Sequence, residues 1–139
     1  MSDLVFYEII RNEFCIMSFS ISTNTIWLKW LPDNRHMSQW EFIEQTDALF
    51  SSIAFFKVTT LYIDAFDFCY PINNRYIQQL GKQIKMCKLK QVGIVISSDL
   101  LGQFHIKELI KTISIFKISI TMFNTREDGE YWVSGNNKY

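Results

Sequence analysis

The chain has 139 residues, 48% of them hydrophobic and 16% aromatic, enough to bury a core of its own as one domain and far from the composition of a disordered segment. Fourteen Lys and Arg balance fourteen Asp and Glu at a pI near 6.7, so no basic surplus exists to neutralise phosphates and nucleic acid is disfavoured as a partner. The opening MSDLVFYEIIRNEF lacks the basic-then-apolar pattern of a signal peptide, and no uncharged apolar run reaches about 18 residues, which reads as a cytoplasmic protein without a transmembrane segment.

The first third is strand-like. Leu4–Ile10, Phe14–Phe19 and Thr25–Leu31 are short, β-rich and separated by turns at Asn12-Glu13 and Ser22–Asn24, which predicts an antiparallel meander. Pro32-Asp33-Asn34 breaks the pattern. Ser38-Gln39-Trp40-Glu41 then has the form of a capping box, and Trp40, Ile43, Phe50 and Ile53 recur at helical spacing up to about Phe56 or Lys57. Thr59–Ile63 is a short β run. Asn73 or Asn74 caps the next helix, with Ile77, Leu80, Ile84 and Cys87 on one side and Gly81 in its interior, where close packing against the sheet is expected. Val92–Ile96 is apolar on both faces, as a central parallel strand should be. Ser97-Ser98-Asp99 leads into a third helix through Ile106, Leu109, Ile110 and Ile113. Ile118–Phe123 is a last strand, and Thr125-Arg126-Glu127-Asp128 opens a short terminal helix ending at Gly135-Asn136-Asn137. The order β-β-β-α-β-α-β-α-β-α predicts a single α/β domain over residues 1–139, with a mixed sheet, antiparallel strands at its start, βαβα crossovers and flanking helices.

Several words of this sequence carry a resemblance. SQWEFIEQ, the strand leading into IDAFDF, VGIVISSD, LLGQFHIKELI and ITMFNTREDGEYWV together resemble the small bacterial STAS-like proteins related to SpoIIAA, often described as STAS/SEC14-domain proteins. The resemblance spans the whole chain and implies a SpoIIAA-like fold and a non-enzymatic role as a protein-interaction or regulatory module. Phospho-switched members carry a Ser or Thr after the central strand, at the start of the next helix. The matching stretch here, Phe68 to Tyr76, contains neither, so the expectation is a module without a phospho-switch.

Two carboxylates, Asp64 and Asp67, stand among apolar residues in LYIDAFDFCYP. Such a pair can split into an acid and a base or hold a cation. The simpler reading is that Asp64 accepts backbone hydrogen bonds at a strand end while Asp67 marks a turn. His105 with Ser97 or Ser98 and Asp99 draws a triad on paper, yet no G-x-S-x-G is present and the three crowd within nine residues. Ser98 and Asp99 read instead as helix-capping residues. Gly102-Gln103 permits a close backbone approach or an anion at a helix start. Cys15, Cys69 and Cys87 lie far apart without metal spacing and read as buried free thiols. No cofactor is implied.

The aromatics Phe42, Phe55, Phe56, Phe66, Phe68 and Tyr70 point several ways and exceed what one sheet face can take. Asp64, Asp67, Phe68, Tyr70, Asn73 and Gln103 therefore form the candidate partner or ligand surface, from the loops after the strands at 59–63 and 92–96. A protein partner or self-association is the first expectation. A carrier or sensor of a small apolar, lipid-like ligand is the alternative.

Overall fold

The computed structural model describes residues 5–135. Six strands form one sheet: β1 (Phe6–Arg11), β2 (Cys15–Ser20), β3 (Thr25–Trp30), β4 (Thr60–Asp64), β5 (Gln91–Val95) and β6 (Ser119–Phe123). They lie side by side in chain order. β1, β2 and β3 are antiparallel, and β3 to β6 are parallel. Among the described residues four α-helices accompany them: α1 (Gln39–Phe56), α2 (Asn74–Met86), α3 (Leu100–Ile113) and α4 (Arg126–Gly135). The predicted α/β class and element order are therefore those observed. The residues expected at the two limits of the fold, Leu4 and Asn136-Asn137, lie outside the described region.

Alternation assigns the faces. Ile26, Leu28 and Trp30 of β3 stand in register with Leu61 and Ile63 of β4 and with Val92 and Ile94 of β5, on one side of the sheet. Against this side pack Phe42 and Leu49 of α1, Leu80 and Ile84 of α2, and Ile106 and Leu109 of α3. Three helices on one face follow from parallel strands taken in order, because right-handed crossovers return each helix to the same side. Trp27, Tyr62, Val95 and Phe123 point the other way and cluster with Val133 and Trp132 of α4 and with Phe66, while Phe6 packs edge-on to Trp27.

Local sequence sets the helix ends. Ser38 and Glu41 form the reciprocal capping box, with Ser38 Oγ accepting from Glu41 N at 3.1 Å and Glu41 Oε1 accepting from Ser38 N at 2.8 Å. Such a cap contributes about 1 kcal/mol. Asn73 Oδ1 accepts from Tyr76 N at 2.8 Å and Asp99 Oδ2 from Gly102 N at 2.9 Å, giving α2 and α3 their starts. Gly81 does mark close packing, but against α3 rather than the sheet. A Cβ there would stand 2.9 Å from Thr112 Cγ2.

α4 is seated by two absent methyl groups. The face of Gly93 in the central strand β5 is filled by the Trp132 indole, and a Cβ on Gly129 would stand 2.6 Å from Tyr62 Oη and 2.7 Å from Val95 Cγ2. Helix propensity favours Ala over Gly at position 129 by about 1 kcal/mol, whereas the clash opposes it. Gly129→Ala is expected to lower the unfolding free energy in urea by about 1–3 kcal/mol, the range for overpacking. An increase would show that α4 is not held at this distance.

Candidate functional site

β4 ends at Asp64, and the chain loops through residues 65–73 before α2. Asp64 is almost fully enclosed, with 6% of its side chain exposed. Its Oδ1 accepts from Phe66 N at 3.1 Å, the strand-end role read from the sequence. Its Oδ2 accepts from Arg126 Nε at 2.7 Å, while Arg126 Nη2 donates to Asp67 Oδ2 at 2.9 Å. The guanidinium also lies 4.7 Å above the Phe66 ring. One arginine on the first turn of α4 thus ties together a strand end, the following loop and the opposite-face helix. Burial acts to lower the Arg126 pKa, but the hydrogen bonds and charges of Asp67 and Asp64 outweigh it and the pKa is raised.

The loop is held from its other side by Asn34, fully buried in a 3-10 turn at Pro32–His36. Its Nδ2 donates to Leu31 O and Asp67 O, and its Oδ1 accepts from Cys69 N at 3.0 Å. Ser97 Oγ donates to Phe68 O at 2.6 Å, and Ser98 Oγ to Phe66 O at 3.2 Å. Gly102 leaves no room for a side chain between Phe68 O and Ser97 Oγ, which is the close backbone approach its sequence position suggested.

These contacts account for the paper triad. Ser97 and Ser98 bind loop carbonyls, Asp99 caps α3, and none of the three hydrogen-bonds His105. The His105 ring is half-buried, edge-on to Phe104 at 5.5 Å, with both nitrogens sealed from solvent and unpartnered. Among the described residues no three His, Cys, Asp or Glu side chains gather as metal ligands. Of the three free thiols only Cys15 is fully buried, its pKa pushed up to about 12 by desolvation, and Cys69 and Cys87 are half-buried.

The candidate surface divides. Asp67 and Gln103 are half-exposed and Asn73 is exposed, although its side chain is engaged as a cap. Phe68 and Tyr70 are not surface anchors, with exposures of only 1% and 9%. They turn inward because Asn34 and Ser97 pull the loop beneath α1, where Phe42 stacks on Tyr70 at 4.5 Å and Trp30 meets Phe68 at 5.2 Å. Of the other surplus aromatics, Phe42 is core, Phe56 stacks on Phe19 at 4.3 Å, and Phe55 is 79% exposed. Sequence reasoning missed Arg126 and Asn34. Neither has a local signal for its hold on the loop, since Asp67 and Cys69 lie 33 and 35 residues from Asn34, and Asp64 lies 62 residues from Arg126. It also missed the apolar start of α3, where Leu100, Leu101 and Phe104 are 82%, 51% and 56% exposed.

Between the sheet and α1, α2 and α3 lies an apolar cavity of about 70 Å³ lined by Leu28, Phe42, Leu61, Phe68, Leu80 and Ile106 among others. No family model, no curated protein and no solved structure matches the chain. No helix among the described residues is long and apolar enough to cross a membrane.

Arg126→Ala strands the Asp64 charge in a nearly closed site and is expected to cost about 2 kcal/mol, below the full penalty for a buried pair because the guanidinium is 34% exposed. Asp67→Asn, at a carboxylate 30% exposed, should cost under about 1 kcal/mol. Urea titration of the two variants checks the ranking, and equal losses would contradict it. The pKa of His105 is lowered from 6.5, first by burial, with Glu108 acting against it. The unfolded chain then binds the proton more readily, so this contribution to stability is complete above pH 6.5 and is lost as the pH falls. Melting curves from pH 7.5 to 5 should fall less steeply for His105→Leu than for the unaltered protein.

Proposed function

We propose that this protein is a non-enzymatic interaction module of SpoIIAA-like fold. It binds a protein partner through the start of α3, and it does so without a Ser/Thr phospho-switch. The observation that carries the reading is the trio Leu100, Leu101 and Phe104. Three large apolar side chains exposed within one helical turn and a half are a concentrated apolar surface, the kind that marks contact sites rather than scattered exposure. They stand at the strand-end loops, where open α/β sheets bind their ligands. Asp33, Asp99, Glu127 and Asp128 are exposed on the same end of the fold together with Arg35 and Arg75, so the fitting partner presents apolar anchors flanked by charges of both signs.

The SpoIIAA-like reading rests on the sequence resemblance, and strands taken in chain order with flanking crossover helices supply the general α/β frame it needs. At the helix start where switched members carry a hydroxyl, the cap is Asn73. The partner surface is thus shifted from Phe68 and Tyr70, which are core, to the neighbouring helix start. The apolar-ligand alternative rests on the internal cavity. Its volume of about 70 Å³ is roughly half that of an engineered cavity that accepts benzene. A lipid-length ligand would require α2 and α3 to separate.

The test is comparative capture. The unaltered protein, Leu100→Ser/Phe104→Ser and Met86→Ser/Ile115→Ser are each used as bait, with native mass spectrometry of the same preparations. A protein retained by the first and third but lost by at least tenfold with the second supports the reading, since a central anchor carries about 1–2 kcal/mol or more. Identical retention by all three removes it. A reproducible apolar adduct on the purified chain would favour the carrier.

A further inference from the structure

Balanced net charge conceals a separation along the strands. Residues 75–117 hold eight of the fourteen basic residues and only two of the acidic ones. Because β4, β5 and β6 are parallel and each follows a helix, the ends of α1, α2 and α3 gather at the end of the sheet opposite Asp64. Lys57 closes α1, Lys85 and Lys88 flank the end of α2, Lys90 precedes β5, Lys111 lies in the last turn of α3, and Lys117 precedes β6. All six are exposed, and none is in an ion pair among the described residues. The described Asp and Glu residues lie at the other end or midway along elements.

The same end carries apolar tips. Phe55, Met86 and Ile115, one from each helix terminus, are 79%, 86% and 81% exposed. The β2–β3 turn joins them, since Asn24 Nδ2 donates to Lys57 O at 3.2 Å and Ile21 is 64% exposed. Val5, whose carbonyl accepts from Ile21 N, is 62% exposed.

Helix dipoles account for lysines in a last turn, which here means Lys85 and Lys111 alone. They do not account for Lys57, Lys88, Lys90 and Lys117 beyond the helices, or for apolar tips among them. A nucleic acid would account for the charge and for Phe55 but leave Met86, Ile115, Ile21 and Val5 without a role, and the described residues at this end include no arginine for base or phosphate forks. Tips and lysines distributed over four chain segments at one end of a sheet match a partner that is planar, anionic and apolar just below its surface.

We propose that this end docks on anionic phospholipid bilayers, with the tips entering the headgroup boundary and the lysines facing lipid phosphates and carboxylates. Each lysine near such a surface strengthens partition about fivefold, so six amount to roughly ten-thousandfold over a neutral surface. The inference is independent of the α3 partner surface, which lies at the opposite end.

Co-flotation with vesicles of phosphatidylcholine containing 30% phosphatidylserine, against phosphatidylcholine alone, tests it at low and high salt. Binding is expected to the anionic vesicles only and to fall steeply between about 50 and 500 mM salt. Lys88→Gln/Lys90→Gln/Lys117→Gln should weaken it by about a hundredfold, and Met86→Ser/Ile115→Ser by about tenfold. Circular dichroism should leave both variants folded, since every altered side chain is exposed. No binding to anionic vesicles at low salt, equal binding to both vesicle types, or binding to polyuridylate without vesicle binding each overturns the proposal.

Discussion

Strands in chain order, with every crossover helix on one face, impose a direction on the molecule. α1, α2 and α3 start at the end where β4, β5 and β6 finish and stop at the end where those strands begin. Their dipoles are therefore aligned rather than opposed, and each end collects partial charge of one sign. The side chains follow this polarity. Glu41 and Asp99 stand at helix starts, while Lys85 and Lys111 stand in last turns. Both proposed contact surfaces are consequences of the one topological choice, because loops, caps and unpaired side chains accumulate where elements end.

α4 is the exception, and its attachment shows what crossing to the bare face requires. It buries few side chains, chiefly Val133, so close fit replaces area: Gly93 admits Trp132, and Gly129 admits Tyr62. Arg126 at its first turn places a cation where the helix dipole disfavours one. Two carboxylates offset this, and Asp64 would itself be costly to enclose without the guanidinium. Strand end and helix start stabilise each other, and neither charge suits its position alone.

Much of the fold was legible because its determinants are local. The capping box at Ser38 and Glu41, the caps Asn73 and Asp99, the break at Pro32 and the doubly apolar Val92–Ile96 each lie within a few residues of what they specify. The site was less legible. Phe68 and Tyr70 look like loop aromatics until Asn34, 33 residues from Asp67, draws the loop inward. The partner of Asp64 and Asp67 arrives from 62 and 59 residues away, on a helix whose own pattern gives no hint of it. Gly81 announced a close approach but not which neighbour made it. Net charge, being a sum, hides any arrangement in which the two signs are kept apart.

That arrangement has a colloidal consequence. A particle with no net charge whose lysines mass at one end, away from the acidic residues and from Arg35, Arg75 and Arg126, has a permanent dipole moment, and near its pI of 6.7 no monopole repulsion keeps copies apart. Head-to-tail attraction then governs solubility, and added salt screens that attraction. Moderate ionic strength should therefore dissolve this protein near neutral pH, whereas dialysis into pure water should favour linear association.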